Sequence, residues 1–394
     1  MIKIPANSNK INQKTKNQPS LGYTRTNLGN SLYEGGKPMI NSLSIHNFKG
    51  LSDFTLQDVS QINLLGGKNN AGKTTVLEAL FMFHDRLNPN MLLRQYNWRG
   101  VNELALTPDS AFAPIFKNFN LENKIEISTT NEKKFHETMI ISYKENNNKS
   151  IKMKSNDGQI RTDENIIHSH ALEIKYKSST AKEQHVNLVL ENNGLSLNAI
   201  NARSSETPAA FLASKTHTHP NENAIRFGEL DIKGQADVII DFLKIMEPRL
   251  TSLSSIALSN GTSMLYANIG IGTKVPISYM GDGISRLLTI LLTIVSTKNG
   301  IVFIDEIENG IHYSVIPKVW QVISTAALTY NCQIFATTHS YECLNGALEG
   351  IGNEMKEKFR YFRIERSKEE DKAVPKTFHY EVLKSAIDRG WEVR

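Results

Sequence analysis

Cysteine is nearly missing from this chain: Cys332 and Cys343 are the two in 394 residues. That excludes a disulfide framework, and Cys332, which opens an apolar strand, reads as a packing residue. A long hydrophobic run is missing too. The longest, around residues 284–295, is interrupted by Ser285, Arg286 and two threonines, too short and too broken to span a bilayer. No secretory apolar segment follows Met1. The simplest setting is a reducing cytoplasm. The body of the chain also lacks an excess of either charge. The net +5 comes from residues 1–38, where Lys3, Lys10, Lys14, Lys16, Arg25 and Lys37 face Glu34 alone. Taking those from the 45 basic and 40 acidic residues leaves 39 of each. Bulk charge therefore gives no argument for nucleic acid, although a local patch could still bind it. The tail is rich in Asn, Gln, Ser and Thr without periodicity, which reads as disorder. A solvated extension competes there with a basic arm for nucleic acid or a partner. Met39 opens the first patterned segment and is an alternative start. Heptads and internal repeats are absent, so no long coiled coil is expected.

What is present alternates between strand and helix patterns. Leu43, Ile45 and Phe48 alternate with polar residues as a strand, and 54–56 is a second short one. Residues 121–200 carry five alternating stretches: Ile125 and Ile127; Met139 to Tyr143; Ile151 and Met153; Leu172, Ile174 and Tyr176; Val186, Leu188 and Leu190. Turn signals separate them at Asn146-Asn147-Asn148, Asn156-Asp157-Gly158 and Asn192-Asn193-Gly194, which predicts an antiparallel meander. Residues 221–247 read as a helix with Val238, Ile239, Phe242, Leu243 and Met246 on one face, ended by Pro248. A hairpin is expected around Asn260-Gly261. Helices are expected at 284–294, 316–328 and 380–386, with strands buried on both faces at 301–304 and 333–337.

The most specific stretch is Gly67-Lys68-Asn69-Asn70-Ala71-Gly72-Lys73-Thr74-Thr75. It fits the phosphate-loop pattern G-x-x-x-x-G-K-[ST]. Its glycines allow backbone N–H groups to curl around a phosphate. Lys73 would sit on the β- and γ-phosphates and the Thr74 hydroxyl on Mg²⁺. The apolar run 62–65 precedes the loop as a strand. Residues 75–81 follow with helical spacing, putting a positive dipole end at the phosphates. A chance glycine-rich turn would lack that context.

Three further elements complete a nucleotide site. The apolar strand 301–304 ends in Asp305-Glu306. Buried carboxylates need a partner, and beside a phosphate loop Asp305 would hold Mg²⁺ while Glu306 orients or deprotonates the attacking water. His339 ends the next core strand, where it can meet the γ-phosphate and Glu306. Gly281-Asp282-Gly283 sits directly before an apolar helix, a place for an anion. The pairs His168/His170 and His217/His219 have zinc-like spacing but no accompanying Cys, and read as surface loops.

Phosphate loop, G-x-G-x-x-R before a helix, four apolar residues then Asp-Glu, then a strand ending in His: this order resembles the ABC-type ATPase heads. Within them, Leu43-Ser44-Ile45-His46-Asn47-Phe48-Lys49-Gly50 resembles the opening L-x-I-x-N-F-(K/R)-G of SMC-, RecF- and OLD-like ATPases. Residues 67–80 and Asp305-Glu306-Ile307-Glu308-Asn309-Gly310-Ile311-His312 resemble them too. Tyr279, Met280, Arg363-Ile364-Glu365-Arg366 and Glu392-Val393-Arg394 look most like the short AAA-type ATPases of bacterial anti-phage defence and toxin-like operons, PARIS-like ATPase subunits among them. The resemblance covers about residues 40–366, and only the motifs are specific.

It implies an α/β P-loop NTPase, an ABC ATPase head over 39–394 with an antiparallel β lobe at 121–200, a helical segment at 221–250 and no long coiled coil. Signature, Asp-Glu strand and His switch would occupy 277–345. The implied cofactors are ATP and Mg²⁺. Gly67, Asn69, Asn70, Ala71, Gly72, Lys73, Thr74 and Thr75 would bind nucleotide, Thr74 and Asp305 the metal, and Lys73, Glu306 and His339 would be catalytic. Active units of this kind are head-to-tail dimers. Gly281, Asp282 and Gly283 would cap the nucleotide of a second copy, and Glu308 to His312 would lie at the seam. Where the transporter-type signature has Ser this chain has Met280, which implies slow hydrolysis. Gln95 is a candidate for the Q-loop, against an ordinary surface glutamine. The implied function is an ATP-driven switch or scaffold controlling a separate effector, such as a TOPRIM-like nuclease or toxin, in anti-phage defence. The alternative is a RecF-like DNA clamp in repair. No membrane role is implied.

Overall fold

The computed structural model describes residues 39–393 apart from 102, 157–158, 192–193, 201–204, 216–217 and 368–371; for 146–168 and 200 it describes the backbone alone. The tail 1–38, read above as disordered, lies outside the described residues, as do His217 and the side chain of His168.

The chain begins with β1 (Ile40–Phe48), β2 (Leu51–Leu56), β3 (Ile62–Gly66), α1 (Lys73–His84), α2 (Met91–Trp98) and one turn of helix, α3 (Pro108–Ala111). The meander follows as β4 (Ile125–Asn131), β5 (His136–Asn156), β6 (Gln159–Ser178), β7 (Ala181–Glu191) and β8 (Gly194–Ile200). Then come β9 (Ala209–Leu212), α4 (Pro220–Ile232), α5 (Ala236–Lys244), β10 (Ser252–Ala257), β11 (Ser263–Asn268) and β12 (Lys274–Pro276). The last part holds α6 (Asp282–Ser296), β13 (Ile301–Ile304), α7 (Ile316–Thr329), β14 (Gln333–Thr337), α8 (Tyr341–Gly350), β15 (Phe359–Arg366), β16 (Ala373–His379) and α9 (Tyr380–Asp388).

Two large sheets result. One runs β16-β15-β3-β14-β13-β9, parallel throughout except at edge strand β16. Its strands β3, β13 and β14 are buried at every position, as a parallel sheet covered on both faces requires. The other runs β2-β1-β4-β5-β6-β7-β8 and is antiparallel, with alternating burial along β1 and β2. A small sheet β10-β11-β12 completes the fold.

Helix α1 lies between the two large sheets. Val76 to His84 are all buried, so the helix has no wet face, as its nearly uniform apolar sequence demands. It packs with Leu65, Phe303 and Phe335 of the parallel sheet and with Ile45, Ile127, Met139 and Ile174 of the antiparallel one. The opposite face of the parallel sheet, carrying Leu64, Val302, Ile304 and Ile334, is covered by α6, α7 and α8. The loop preceding α1 is therefore held by a helix fixed on both sides.

The fold departs from the sequence pattern in places. Residues 221–247 form two helices, not one. Gly234 takes φ +67, and Gln235 N–H donates to Leu230 O at 2.9 Å while Gly234 N–H donates to Asp231 O at 2.9 Å. This is a Schellman closure, which only a residue at home in the left-handed region makes cheaply. Asn146-Asn147-Asn148 is no turn either. It lies inside β5, with Asn147 opposite His168, so the second and third expected strands merge into one long strand paired with β6. Strands β9, β12 and β16 had no sequence expectation.

Candidate active site

The strand order β3-β14-β13 places three strand ends side by side: the phosphate loop after β3, His339 after β14, and Asp305-Glu306 after β13. Register aligns Leu65 with Thr337 and Ala336 with Ile304.

In the loop, Gly67 has φ +125 and Gly72 φ +107, and Asn70 is left-handed at φ +62. A Cβ at Gly67 would run into the backbone carbonyl of Ile364. Gly72 is the N-cap of α1 and makes no side-chain cap, so the first-turn N–H groups, including those of Lys73, Thr74 and Thr75, open onto the loop. Lys73 Nζ donates to Gly67 O at 2.7 Å and Lys68 O at 3.1 Å, lying across the loop. Burial pushes its amine down, against the pull of Asp305. Beside the loop is a cleft of about 340 Å³ lined by Gly67, Lys68, Asn69, His339, Arg363 and Glu392.

Asp305 is 4% exposed, and every oxygen is used. Oδ1 accepts from Thr74 Oγ1 at 2.8 Å and Thr337 Oγ1 at 2.7 Å; Oδ2 accepts from Ser214 Oγ at 2.9 Å. Its backbone carbonyl accepts from Arg286 Nη2 at 3.1 Å. A carboxylate and a hydroxyl, both hard oxygen donors, meeting beside a phosphate loop are a donor set that would fit Mg²⁺. Among the described residues no group of three or more His, Cys, Asp or Glu gathers for a metal. His170 instead meets the Tyr143 hydroxyl at 2.6 Å, and His219 accepts from Asn221 N–H at 3.2 Å as the cap of α4.

Glu306 has φ +46, a strained position for a residue with a Cβ. Its N–H donates to Thr337 Oγ1 at 2.8 Å, so Thr337 fixes both acids of the pair. The Glu306 carboxylate accepts from Asn309 Nδ2 at 3.2 Å and stands 4.0 Å from His339 Nδ1. Burial and then the charge of Asp305 hold its carboxyl above the usual range, which suits a group that must take a proton. The Glu308 carboxylate, expected at a seam, turns inward to His339 at 3.5 Å.

Gly281-Asp282-Gly283 lies elsewhere. Gly281, at φ +103, caps α6, and Gly281 and Asp282 are exposed. The turn packs beside Gly310, and its residues are not among those lining the cleft. The structure thus brings together Gly67–Thr75, Asp305, Glu306 and His339, and leaves the signature turn outside.

Gln95 is not a surface glutamine: it is buried in α2, and its Oε1 accepts from Lys49 Nζ at 2.7 Å. Sequence reasoning missed Ser214, Thr337 and Arg286. A signal existed for Ser214: the apolar run 209–213 ending in a hydroxyl resembles a third core strand entering the site. Thr337 was named only as part of its strand, and Arg286 only as a motif letter.

The chain is similar to several known proteins. The chain is 25% identical over 336 residues to a Helicobacter pylori protein named "ATP/GTP phosphatase", covering 77% of this chain and 86% of that one. Among solved structures, an SMC head bound to the C-winged helix domain of ScpA aligns at 12% identity and TM-score 0.47, covering 89% of this chain and all of that one. An SMC head domain from Thermotoga maritima aligns at 8% identity and TM-score 0.40, covering 86% and 98%. Residues 62–345 match the family described as "AAA domain, putative AbiEii toxin, Type IV TA system". That span runs from the phosphate-loop strand past His339, and the chain belongs to this family of P-loop ATPase domains.

Proposed function

We propose that this chain is an ATP-hydrolysing switch that closes into a dimer on ATP and controls a separate effector protein. The observation that carries the reading is the 2.8 Å contact between Thr74 and Asp305. Two motifs separated by more than two hundred residues meet there on the oxygens Mg²⁺ prefers. Lys73 and the loop N–H groups would take the phosphates. Thr74 and Asp305 would hold Mg²⁺, which supplies positive charge against the phosphate oxygens. Glu306 would accept the proton of the attacking water, and His339 would contact the terminal phosphate. The name of the Helicobacter pylori relative supports turnover of ATP, GTP or both.

The exposed signature turn supports the dimer. An anion site at the N-terminus of α6 that faces away from its own cleft is useful to a second copy. The family's description as a toxin of a type IV system supports an operon with a partner, and with it anti-phage defence. The effector, a nuclease or toxin, would be encoded separately.

The test uses Lys73→Ala and Glu306→Gln. Wild type should hydrolyse ATP in a Mg²⁺-dependent way. Lys73→Ala should not bind nucleotide. Glu306→Gln should bind ATP, lose turnover and run as a dimer in light scattering. Wild-type hydrolysis by Glu306→Gln would sink the base assignment, and a monomer under ATP would sink the switch. Affinity capture from the native host with and without ATP then identifies the effector; DNA alone in the captured material would replace the switch with a DNA clamp.

A further inference from the structure

Glu308 lies three residues beyond Asp305, with 11% of its side chain exposed. Its Oε1 collects three contacts from one short segment. Thr338 Oγ1 donates at 2.9 Å, the backbone N–H of His339 donates at 3.1 Å, and His339 Nδ1 stands at 3.5 Å. Oε2 is buried without a hydrogen-bond partner among the described residues. A carboxylate is expensive to bury unless partners compensate, and the partners here are mainly the backbone and ring of one residue.

The surroundings explain what this does. Nδ1 of His339 faces two carboxylates, Glu308 at 3.5 Å and Glu306 at 4.0 Å. That leaves Nε2 as the ring nitrogen able to serve the cleft His339 lines. The Lys73 amine of α1 feels the Glu308 charge, and the Cys343 thiol of α8 packs against the same carboxylate. The carboxylate, carried on the β13 loop, is therefore fixed by the β14 loop. We infer that Glu308 is a positioning residue for His339: it holds the backbone N–H and the Nδ1 edge of the ring, and so sets how His339 meets a terminal phosphate. The inference rests on the cleft being the nucleotide site.

The test compares Glu308→Ala, Glu308→Gln, His339→Ala and the double variant Glu308→Ala/His339→Ala in the full chain. Glu308→Ala should lower kcat by about 10- to 100-fold, the range seen when a supporting contact is removed, with KM for ATP within about threefold. Glu308→Gln should recover most of that loss, because its amide oxygen still accepts from Thr338 and His339. In the His339→Ala background the Glu308→Ala change should add less than about twofold, since contacting residues are not additive. Independent multiplication of the two losses, wild-type rates in Glu308→Ala, or no recovery in Glu308→Gln would each overturn the assignment. Should Glu308→Ala not fold, Glu308→Asp withdraws the carboxylate by one methylene and carries the same expectation. A second measurement needs no turnover. In nucleotide-free protein the His339 ring resonances should shift in Glu308→Ala and stay in place in Glu308→Gln. Unshifted resonances in Glu308→Ala would overturn the inference, whereas a wild type that binds no ATP would sink only the functional reading.

Discussion

The Lys49 amine lies 2.8 Å from a carboxylate oxygen of Glu78, and neither group is exposed to more than a small extent. Glu78 is the one acid of α1 and is fully buried. Arg99 grips it with two hydrogen bonds, at 2.8 and 2.7 Å, and Lys49 also reaches Gln95. Burial alone would push the Glu78 carboxyl up; the Lys49 and Arg99 charges reverse this and hold it below the usual range. The end of the opening strand motif is thereby pinned to the phosphate-loop helix.

Removing Lys49 leaves a buried carboxylate with one cation. Lys49→Met should destabilise the fold by about 3 kcal/mol, because breaking a buried pair exposes the desolvation cost of the survivor. Lys49→Met with Glu78→Leu should recover much of this, since the surroundings of α1 are apolar. Denaturant titration of the single and double variants checks it, and a neutral Lys49→Met would show that Arg99 suffices alone.

Gly67 and Gly272 are both left-handed, at φ +125 and +81. At Gly67 a Cβ meets the Ile364 carbonyl, whereas at Gly272 it meets nothing within 4 Å. Gly272→Ala should cost about 1 kcal/mol, the left-handed penalty alone. Gly67→Ala adds a backbone collision, so the loop must shift; nucleotide affinity should fall at least tenfold while the melting temperature changes little more than for Gly272→Ala. Fluorescent-nucleotide titration beside thermal melts separates the two. Equal affinities would show that the loop tolerates the shift.

Local patterns announced the parts of the site whose chemistry fixes residue type and spacing: Gly67, Gly72, Lys73 and Thr74, the Asp305-Glu306 pair, and His339. The parallel strands 301–304 and 333–337 were legible because burial on both faces selects short apolar runs, unbroken at 301–304 and 334–336. What was not legible is set by distance in sequence. Ser214 reaches Asp305 from just after β9, which is only four residues long, too short to show a period. Lys49, Glu78 and Arg99 each look like ordinary solvated charges until α1 is seen to be enclosed. Asn146 to Asn148 carried turn chemistry, yet the pairing of β5 with β6 overrode it.

Thr337 is wholly buried and bridges both acids, donating to Asp305 Oδ1 at 2.7 Å and accepting from Glu306 N–H at 2.8 Å. Thr337→Val keeps the shape and removes the bridge. It strands the Glu306 N–H, which should cost about 1–3 kcal/mol of stability. It also frees Asp305 to rotate, so the Mg²⁺ concentration for half-maximal hydrolysis should rise by about 10-fold or more. Metal titration of the ATPase rate measures this, and an unchanged midpoint would mean that Thr74 and Ser214 alone orient Asp305.

His84 ends α1 buried, with Nδ1 on Ser205 Oγ at 3.1 Å and Nε2 without a hydrogen-bond partner among the described residues. Burial, and then the neighbouring Arg86 charge, push its pKa down to about 3. In the unfolded chain it titrates near the ordinary value of about 6.5. Between these values the unfolded state binds a proton that the folded state refuses, so stability must fall as pH falls through that window. Above about pH 6.5 both states are neutral at this site, and its contribution is fully present. One such group should lower the unfolding free energy by about 1.4 kcal/mol per pH unit below that point. His84→Leu, apolar and of similar reach, removes the titration. Between pH 7 and 5 wild type should therefore lose more stability than His84→Leu, by about 2 kcal/mol, while the order of the two at pH 7 depends on packing alone. Melting temperatures at both pH values decide it. Parallel losses in the two proteins would mean that His84 gains its proton without unfolding, through local opening around Ser205.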